Sequence, residues 1–108
     1  MSAEAADRFA ALSDPVRLAI VRVLAEGERC VCDVQDRVPV AGNLLSYHLR
    51  ILREAGLVRA TRRGRWVDYR LDCDGFAALW SAAADAGVPL PGTPVAAGRA
   101  GASCEEPA

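Results

Sequence analysis

The sequence has no lysine, a single histidine and no apolar run that reaches eighteen residues. A chain without such a run cannot cross a bilayer as a helix, so we expect no membrane segment. The first residues, MSAEAADRFAAL, lack the basic stretch and apolar block of a secretion signal. We therefore expect a cytoplasmic protein whose four cysteines stay reduced, a setting that favours metal binding or redox sensing over a disulfide framework.

Positive charge is concentrated in one part of the chain, although the net charge is only −1. Residues 46–70 contain seven arginines against two acidic residues, whereas residues 73–108 contain one arginine against four acidic residues. A local excess of arginine is the footprint expected of a nucleic-acid contact surface. Because every basic residue is arginine, bidentate contacts to phosphate or guanine are favoured over point charges.

Apolar spacing and turn residues predict a mainly α-helical domain with one β-hairpin. Asp14-Pro15 is typical of a helix start, and Gly27 and Gly56 are typical of helix ends. Period-two alternation on both sides of Arg63-Gly64 predicts a hairpin with this pair at its turn. The predicted elements are helices at about 4–12, 15–26, 31–38, 43–55 and 74–86 and hairpin strands at about 58–62 and 66–71.

The length of 108 residues is enough for one domain. We place this domain at residues 1–86. Residues 87–108 are rich in Pro, Gly, Ala and Ser, so we predict a flexible tail, which carries Cys104. Helices followed by a helix-turn-helix and then a hairpin are in the order of a winged helix-turn-helix.

In such a fold the fourth helix enters the major groove, and the hairpin tip contacts the backbone or the minor groove. Asn43 is also a candidate cap for the fourth helix. His48 has no acid or nucleophile beside it in a recognisable pattern, so we predict no catalytic residue. Trp66 and Trp80 are predicted to be core or dimer contacts. The candidate DNA-contacting residues are Asn43, Ser46, Tyr47, His48, Arg50, Arg62, Arg63 and Arg65.

Two cysteines one residue apart, Cys30 and Cys32, stand at the start of the third predicted helix. On a regular helix such residues point about 200° apart, so they can share one small ion only where the first turn is unwound or not yet formed. Thiolates suit soft ions such as As(III), Sb(III), Cd(II) and Pb(II). A trigonal thiolate site needs a third sulfur, with Cys104 the first candidate and Cys73 the substitute. Alternatively, Cys30 and Cys32 are small core residues and Cys73 a half-buried structural thiol.

Over residues 7–86 the chain resembles the ArsR/SmtB family of metal-responsive transcriptional repressors. The resemblance rests on ALSDPVRLAIVRVL, CVCD at 30–33, LSYHLRILREAGLV at 45–58 and RRGRWVDYRL at 62–71. It implies a homodimer built on the first and last helices, a double-stranded operator with two-fold symmetry, and release when a metal or metalloid binds. There are two departures. Gln35 stands where the arsenite-sensing branch often has a third cysteine, and the last helix lacks the histidine of the zinc-sensing branch.

We therefore hypothesise a homodimeric repressor that leaves its operator when As(III) or Sb(III) binds cysteine thiolates. An ion bound across Cys30 and Cys32 would distort the third helix and displace the reading helix. Two alternatives keep the DNA function, namely sensing of Cd(II) or Pb(II) and sensing of thiol oxidation. An enzyme is not expected, because CxC differs from the CxxC of thiol-disulfide oxidoreductases and no strand is predicted before it. The basic reading region argues against a protein-binding module that does not contact DNA.

Overall fold

The computed structural model describes residues 3–89, which form a winged helix-turn-helix of five helices and three strands. Each predicted helix is present within two residues of its expected bounds. No helix in this part of the chain is long and apolar enough to cross a membrane. The elements are α1 Ala3–Ala11, α2 Pro15–Leu24, β1 Arg29–Cys30, α3 Val31–Arg37, α4 Gly42–Glu54, β2 Val58–Arg63, β3 Trp66–Leu71 and α5 Cys73–Asp85.

The ends of α2 and α4 follow local chemistry. Asp14 caps α2 by accepting hydrogen bonds from the amides of Val16 at 2.7 Å and Arg17 at 3.2 Å, as predicted. Gly56 ends α4 with a φ of +79°, a conformation that favours glycine. The prediction that Asn43 caps α4 is wrong, because the helix begins one residue earlier, at Gly42, and its cap position is Ala41.

The wing consists of β2 and β3, which pair antiparallel from Val58–Leu71 at one end to Arg63–Trp66 at the other. The turn is Gly64-Arg65, one residue later than predicted, and Gly64 has a φ of +61°. The sequence prediction missed β1, which pairs antiparallel with β3 and makes β3 the central strand of the sheet. A strand of two residues is too short to show alternation.

The core lies between α2, α3, α4, the sheet and α5. Apolar side chains supplied by these elements are almost fully buried, among them Ile20, Val34, Leu45, Leu49, Leu52, Leu57 and Leu79. The two tryptophans were predicted to be core or dimer contacts, and the core alternative is wrong, because Trp66 is 52% exposed and Trp80 is 54% exposed.

The start of α5 is seated directly on the turn that follows α4. The amide of Asp72 donates to the carbonyl oxygen of Leu57 at 2.9 Å. At Gly75 an added Cβ would lie 1.8 Å from the carbonyl oxygen of Gly56, so only glycine fits there. This close backbone contact fixes α5 relative to the end of α4.

Candidate metal and nucleic-acid sites

The thiols of Cys30 and Cys32 converge because Cys30 precedes the helix. Cys30 is the N-cap residue of α3, with extended backbone at φ −73° and ψ 160°, and Cys32 is the second helical residue. The sulfur atoms of both cysteines and a carboxylate oxygen of Asp33 all lie within 4.8 Å of one another. Because Cys30 lies before the first helical turn, the two thiols do not point apart as they would on a regular helix. The three donors can therefore face one ion. Neither cysteine belongs to the core, since Cys30 is half-buried and Cys32 is exposed.

Asp33 is the donor that the sequence prediction missed. Its signal was in the CVCD run, where a carboxylate directly follows the second thiol. Cys73 is the first residue of α5 and does not belong to this donor group. Cys104 and most of the predicted tail lie outside the described residues. Gln35 has a different role: its side-chain amide donates to the carbonyl oxygen of Val40 and ties α3 to the turn before α4.

The surroundings of Cys32 favour the protonated thiol. Its hydrogen bond with Cys30, partial desolvation and the negative charge of Asp33 together raise the pKa of the Cys32 thiol above its usual range. A thiol is a weak nucleophile compared with its thiolate, so this environment lowers reactivity toward oxidants. A soft ion would bind here by displacing the proton.

The exposed face of α4 carries four of the predicted DNA-contacting residues. Asn43, Ser46, Tyr47 and Arg50 are all exposed, and the guanidinium carbon of Arg50 lies 5.9 Å from the centre of the Tyr47 ring. These side chains offer hydrogen-bonding groups and an aromatic ring to bases or phosphates.

His48 does not lie on this exposed face, although the sequence prediction grouped it with the DNA-contacting residues. Its side chain is buried, with only 5% of the residue exposed. Nη1 of Arg17 donates to Nδ1 of His48 at 3.0 Å, while Nε of Arg17 donates to the carbonyl oxygen of Ala11 at 2.6 Å. Arg17 of α2 thus links His48 of α4 to the end of α1. The polar pattern of α4 alone could not reveal a partner that lies 31 residues away.

The wing tip presents Arg62, Arg63 and Arg65, all of which are exposed. Arg63 is also anchored: its Nε and Nη2 donate to the two carboxylate oxygens of Asp68, the second bond at 3.2 Å. These bonds from Arg63, outweighing the effect of burial, lower the pKa of Asp68. The side chain of Arg63 is 65% exposed and that of Asp68 only 10%. The carboxylate that holds Arg63 is therefore shielded from solvent, while most of the Arg63 side chain faces it.

The chain is similar to known bacterial regulatory proteins. Residues 14–60 match the family model described as "Bacterial regulatory protein, arsR family". The repressor SmtB of Mycobacterium tuberculosis is 48% identical over 67 residues, which are 62% of this chain and 50% of SmtB. The arsenical resistance operon repressor of Escherichia coli is 45% identical over 64 residues, which are 58% of this chain and 55% of that protein. The chain thus spans about half the length of these two curated relatives.

The fold is shared with a solved structure from Mycobacterium bovis, the homodimeric winged helix-turn-helix DNA-binding domain of a possible ArsR-family transcriptional regulator. The two chains are 30% identical, the match covers 78% of each, and the TM-score is 0.65. The chain described here therefore belongs to the ArsR family, whose members are DNA-binding transcriptional regulators and not enzymes.

Proposed function

We propose that the protein is a homodimeric repressor that releases operator DNA when As(III) or Sb(III) binds the thiolates of Cys30 and Cys32. The observation that carries the proposal is the convergence of both sulfur atoms and the Asp33 carboxylate within 4.8 Å at the start of the first helix of the helix-turn-helix. Soft thiolate donors thus adjoin the element that supports the reading helix.

The link from ion to DNA runs through α3. Only residues 38–41 separate α3 from α4, and the side chain of Gln35 is bonded across this turn to Val40. An ion that draws Cys30 and Cys32 together displaces the start of α3, and α4 moves with it. A coupling free energy of about 1–3 kcal/mol, typical of allosteric proteins, would change DNA affinity by roughly 5- to 150-fold.

The third donor decides which ion is favoured. As(III) prefers a third thiolate, for which Cys104 is our first candidate and Cys73 the substitute, from either subunit. Asp33 supports a second candidate function, the sensing of Cd(II) or Pb(II), because a carboxylate beside two thiolates suits a divalent ion. A redox sensor is a weaker alternative, since the raised pKa of Cys32 disfavours the thiolate that reacts with oxidants.

The dimer is proposed to form on α1 and α5. These helices pack together, and α5 leaves Trp80 54% exposed. Tryptophan is enriched at protein interfaces, and its exposure on α5 supports this choice. The related domain from Mycobacterium bovis is a homodimer.

The test is to titrate As(III), Sb(III), Cd(II), Pb(II) and Zn(II) separately into the complex of the full chain with its own promoter region and to follow DNA release by fluorescence anisotropy. We expect As(III) or Sb(III) to release the DNA, and the double variant C30S/C32S to keep it bound. C73S tells separately whether Cys73 supplies the third sulfur. Release that survives in C30S/C32S would contradict the proposal.

A further inference from the structure

Cys30 lies at the junction of strand β1 and helix α3. It is the N-cap residue of α3, and as the last residue of β1 it pairs with Asp68 of β3. On the other side of the central strand, Asp68 pairs with Thr61 of β2. The thiols are therefore joined to the wing by strand pairing as well as to α3 by the chain itself.

Asp68 carries this connection from the central strand to the wing tip. Its carboxylate is buried, with 7% of the residue exposed, and accepts two hydrogen bonds from Arg63. Arg63 is the last residue of β2 and directly precedes the turn. The bonds and charge of Asp68 raise the pKa of Arg63, and the nearby Glu28 acts in the same direction. The guanidinium of a DNA-contacting candidate is thus bonded to the strand partner of Cys30.

We propose that the Asp68–Arg63 pair is a second route by which an ion at Cys30 and Cys32 weakens DNA binding, through the wing and not through α4. The inference rests on the proposed function, because it requires an ion at these thiols. In outline, closure of the thiols onto the ion shifts β1 against β3, and the shift changes how Asp68 holds Arg63.

Movement of the thiols would reach the sheet through β1. The three donor atoms at the thiol site lie within 4.8 Å of one another, and an ion that binds them would change their separation. Because β1 has only two residues, few ladder bonds resist this movement, and Cys30 is the residue directly opposite Asp68.

Arg63 and its neighbour Arg62 should then respond differently to substitution. Both can contact phosphate, but only Arg63 is bonded to Asp68, whereas Nη1 of Arg62 donates to the carbonyl oxygen of Gly64 at 3.5 Å. Lysine keeps the positive charge and loses the planar pair of donors. R63K therefore removes the paired hydrogen bonds to Asp68. R62K is its matched control.

The first measurement is the ratio of DNA Kd with and without saturating As(III) or Cd(II), obtained by anisotropy for the full chain. In wild type we expect a ratio of about 5 to 150, the range of typical allosteric coupling. R63K should lower this ratio at least about threefold, while R62K weakens DNA binding and leaves the ratio unchanged. D68N is a second variant that alters the same pair from its buried side, and its folding is checked by thermal unfolding.

The second measurement reports on the wing directly. Trp66 is the strand partner of Arg63, and W80F leaves it as the only tryptophan. Ultraviolet absorbance of the thiolate–ion bond follows ion binding separately. We expect Trp66 emission to change with the same midpoint as the absorbance in W80F, and this change to be lost in W80F/R63K although the absorbance titration is unchanged.

The outcomes separate the inference from the function on which it rests. The wing route would be overturned if the ion binds and releases DNA while Trp66 emission stays unchanged and R63K and D68N both keep the wild-type ratio of DNA Kd with and without the ion. That result would leave the repressor proposal intact. Absence of the thiolate–ion absorbance in wild type would overturn both.

Discussion

Helices α3 and α5 both have a cysteine beside an aspartate in the first turn, yet the side chains at the two helix starts make different interactions. At α5 the side chain of Asp72 caps the helix by accepting from the amide of Gly75 at 3.2 Å, and Gly75 packs on the backbone of Gly56. At α3 the cap position is Cys30, whose side chain makes no capping hydrogen bond. The carboxylate of Asp33 lies instead beside the two thiols.

The contrast teaches how to separate a structural helix start from a ligand site of similar composition. Where a carboxylate accepts a hydrogen bond from the backbone, as at α5, its removal should lower the stability of the fold and leave ion binding unchanged. Where the carboxylate and thiols are left facing one another, as at α3, their removal should affect ion binding and leave most of the stability. Three comparisons test this distinction, beginning with the largest expected effect.

G75A should destabilise the fold most, by about 3 kcal/mol or more, because the new Cβ would meet backbone and not a flexible side chain. Chemical denaturation measures the loss. G42A is the matched control at the start of α4, where a Cβ would lie 3.5 Å from Oε1 of Gln35, an ordinary contact. There we expect no loss or a gain of up to about 1 kcal/mol. Equal stabilities for the two variants would show that the start of α5 is not tightly seated.

D33N should affect ion binding and D72A should affect stability. D33N weakens binding of Cd(II) by about 10- to 100-fold, the range seen when groups that support a bound metal are lost, and leaves the unfolding free energy nearly unchanged. D72A loses the helix cap and costs about 1 kcal/mol, with ion affinity unchanged. Competition with a chelator gives the ion affinity, and urea denaturation gives the stability. Unaltered Cd(II) affinity in D33N would remove the carboxylate from the donor set.

The pH dependence of ion binding should distinguish the two candidate inducers. The raised pKa of Cys32 keeps its proton on between pH 6 and 8, so Cd(II) must displace it. Cd(II) affinity should rise about tenfold per pH unit for each proton displaced. As(OH)₃ reacts with two thiols to form two As–S bonds and two water molecules, with no net release of protons, so its affinity should be flat over this range. A flat profile for Cd(II) would contradict the protonated thiol.

Local patterns in the sequence predicted most of the fold. Asp14-Pro15 and Gly56 located the ends of α2 and α4 because caps are short-range interactions. The features that were missed depend on long-range contacts. The pairing of β1 with β3, the bond between Arg17 and His48 and the contact of Gly75 with Gly56 each join segments that are far apart in the chain.

The candidate site was partly predictable for the same reason. The CxC spacing singled out Cys30 and Cys32, and the structure explains their convergence by the helix start between them. The sequence prediction placed His48 with the polar residues of α4, because helical periodicity does not reveal which polar group has a buried partner. Asp33 was overlooked because a carboxylate in a first helical turn is usually read as a favourable dipole interaction.

The contact between Gly75 and Gly56 has a consequence for the operator. In the proposed dimer, α5 joins the subunits while α4 reads the groove, and this backbone contact couples the end of α4 to the start of α5 within each subunit. In the ion-free protein the distance between the two reading helices is then set by the dimer. The half-sites of the operator must therefore be separated by a fixed number of base pairs, and inserting half a helical turn between them should abolish tight binding.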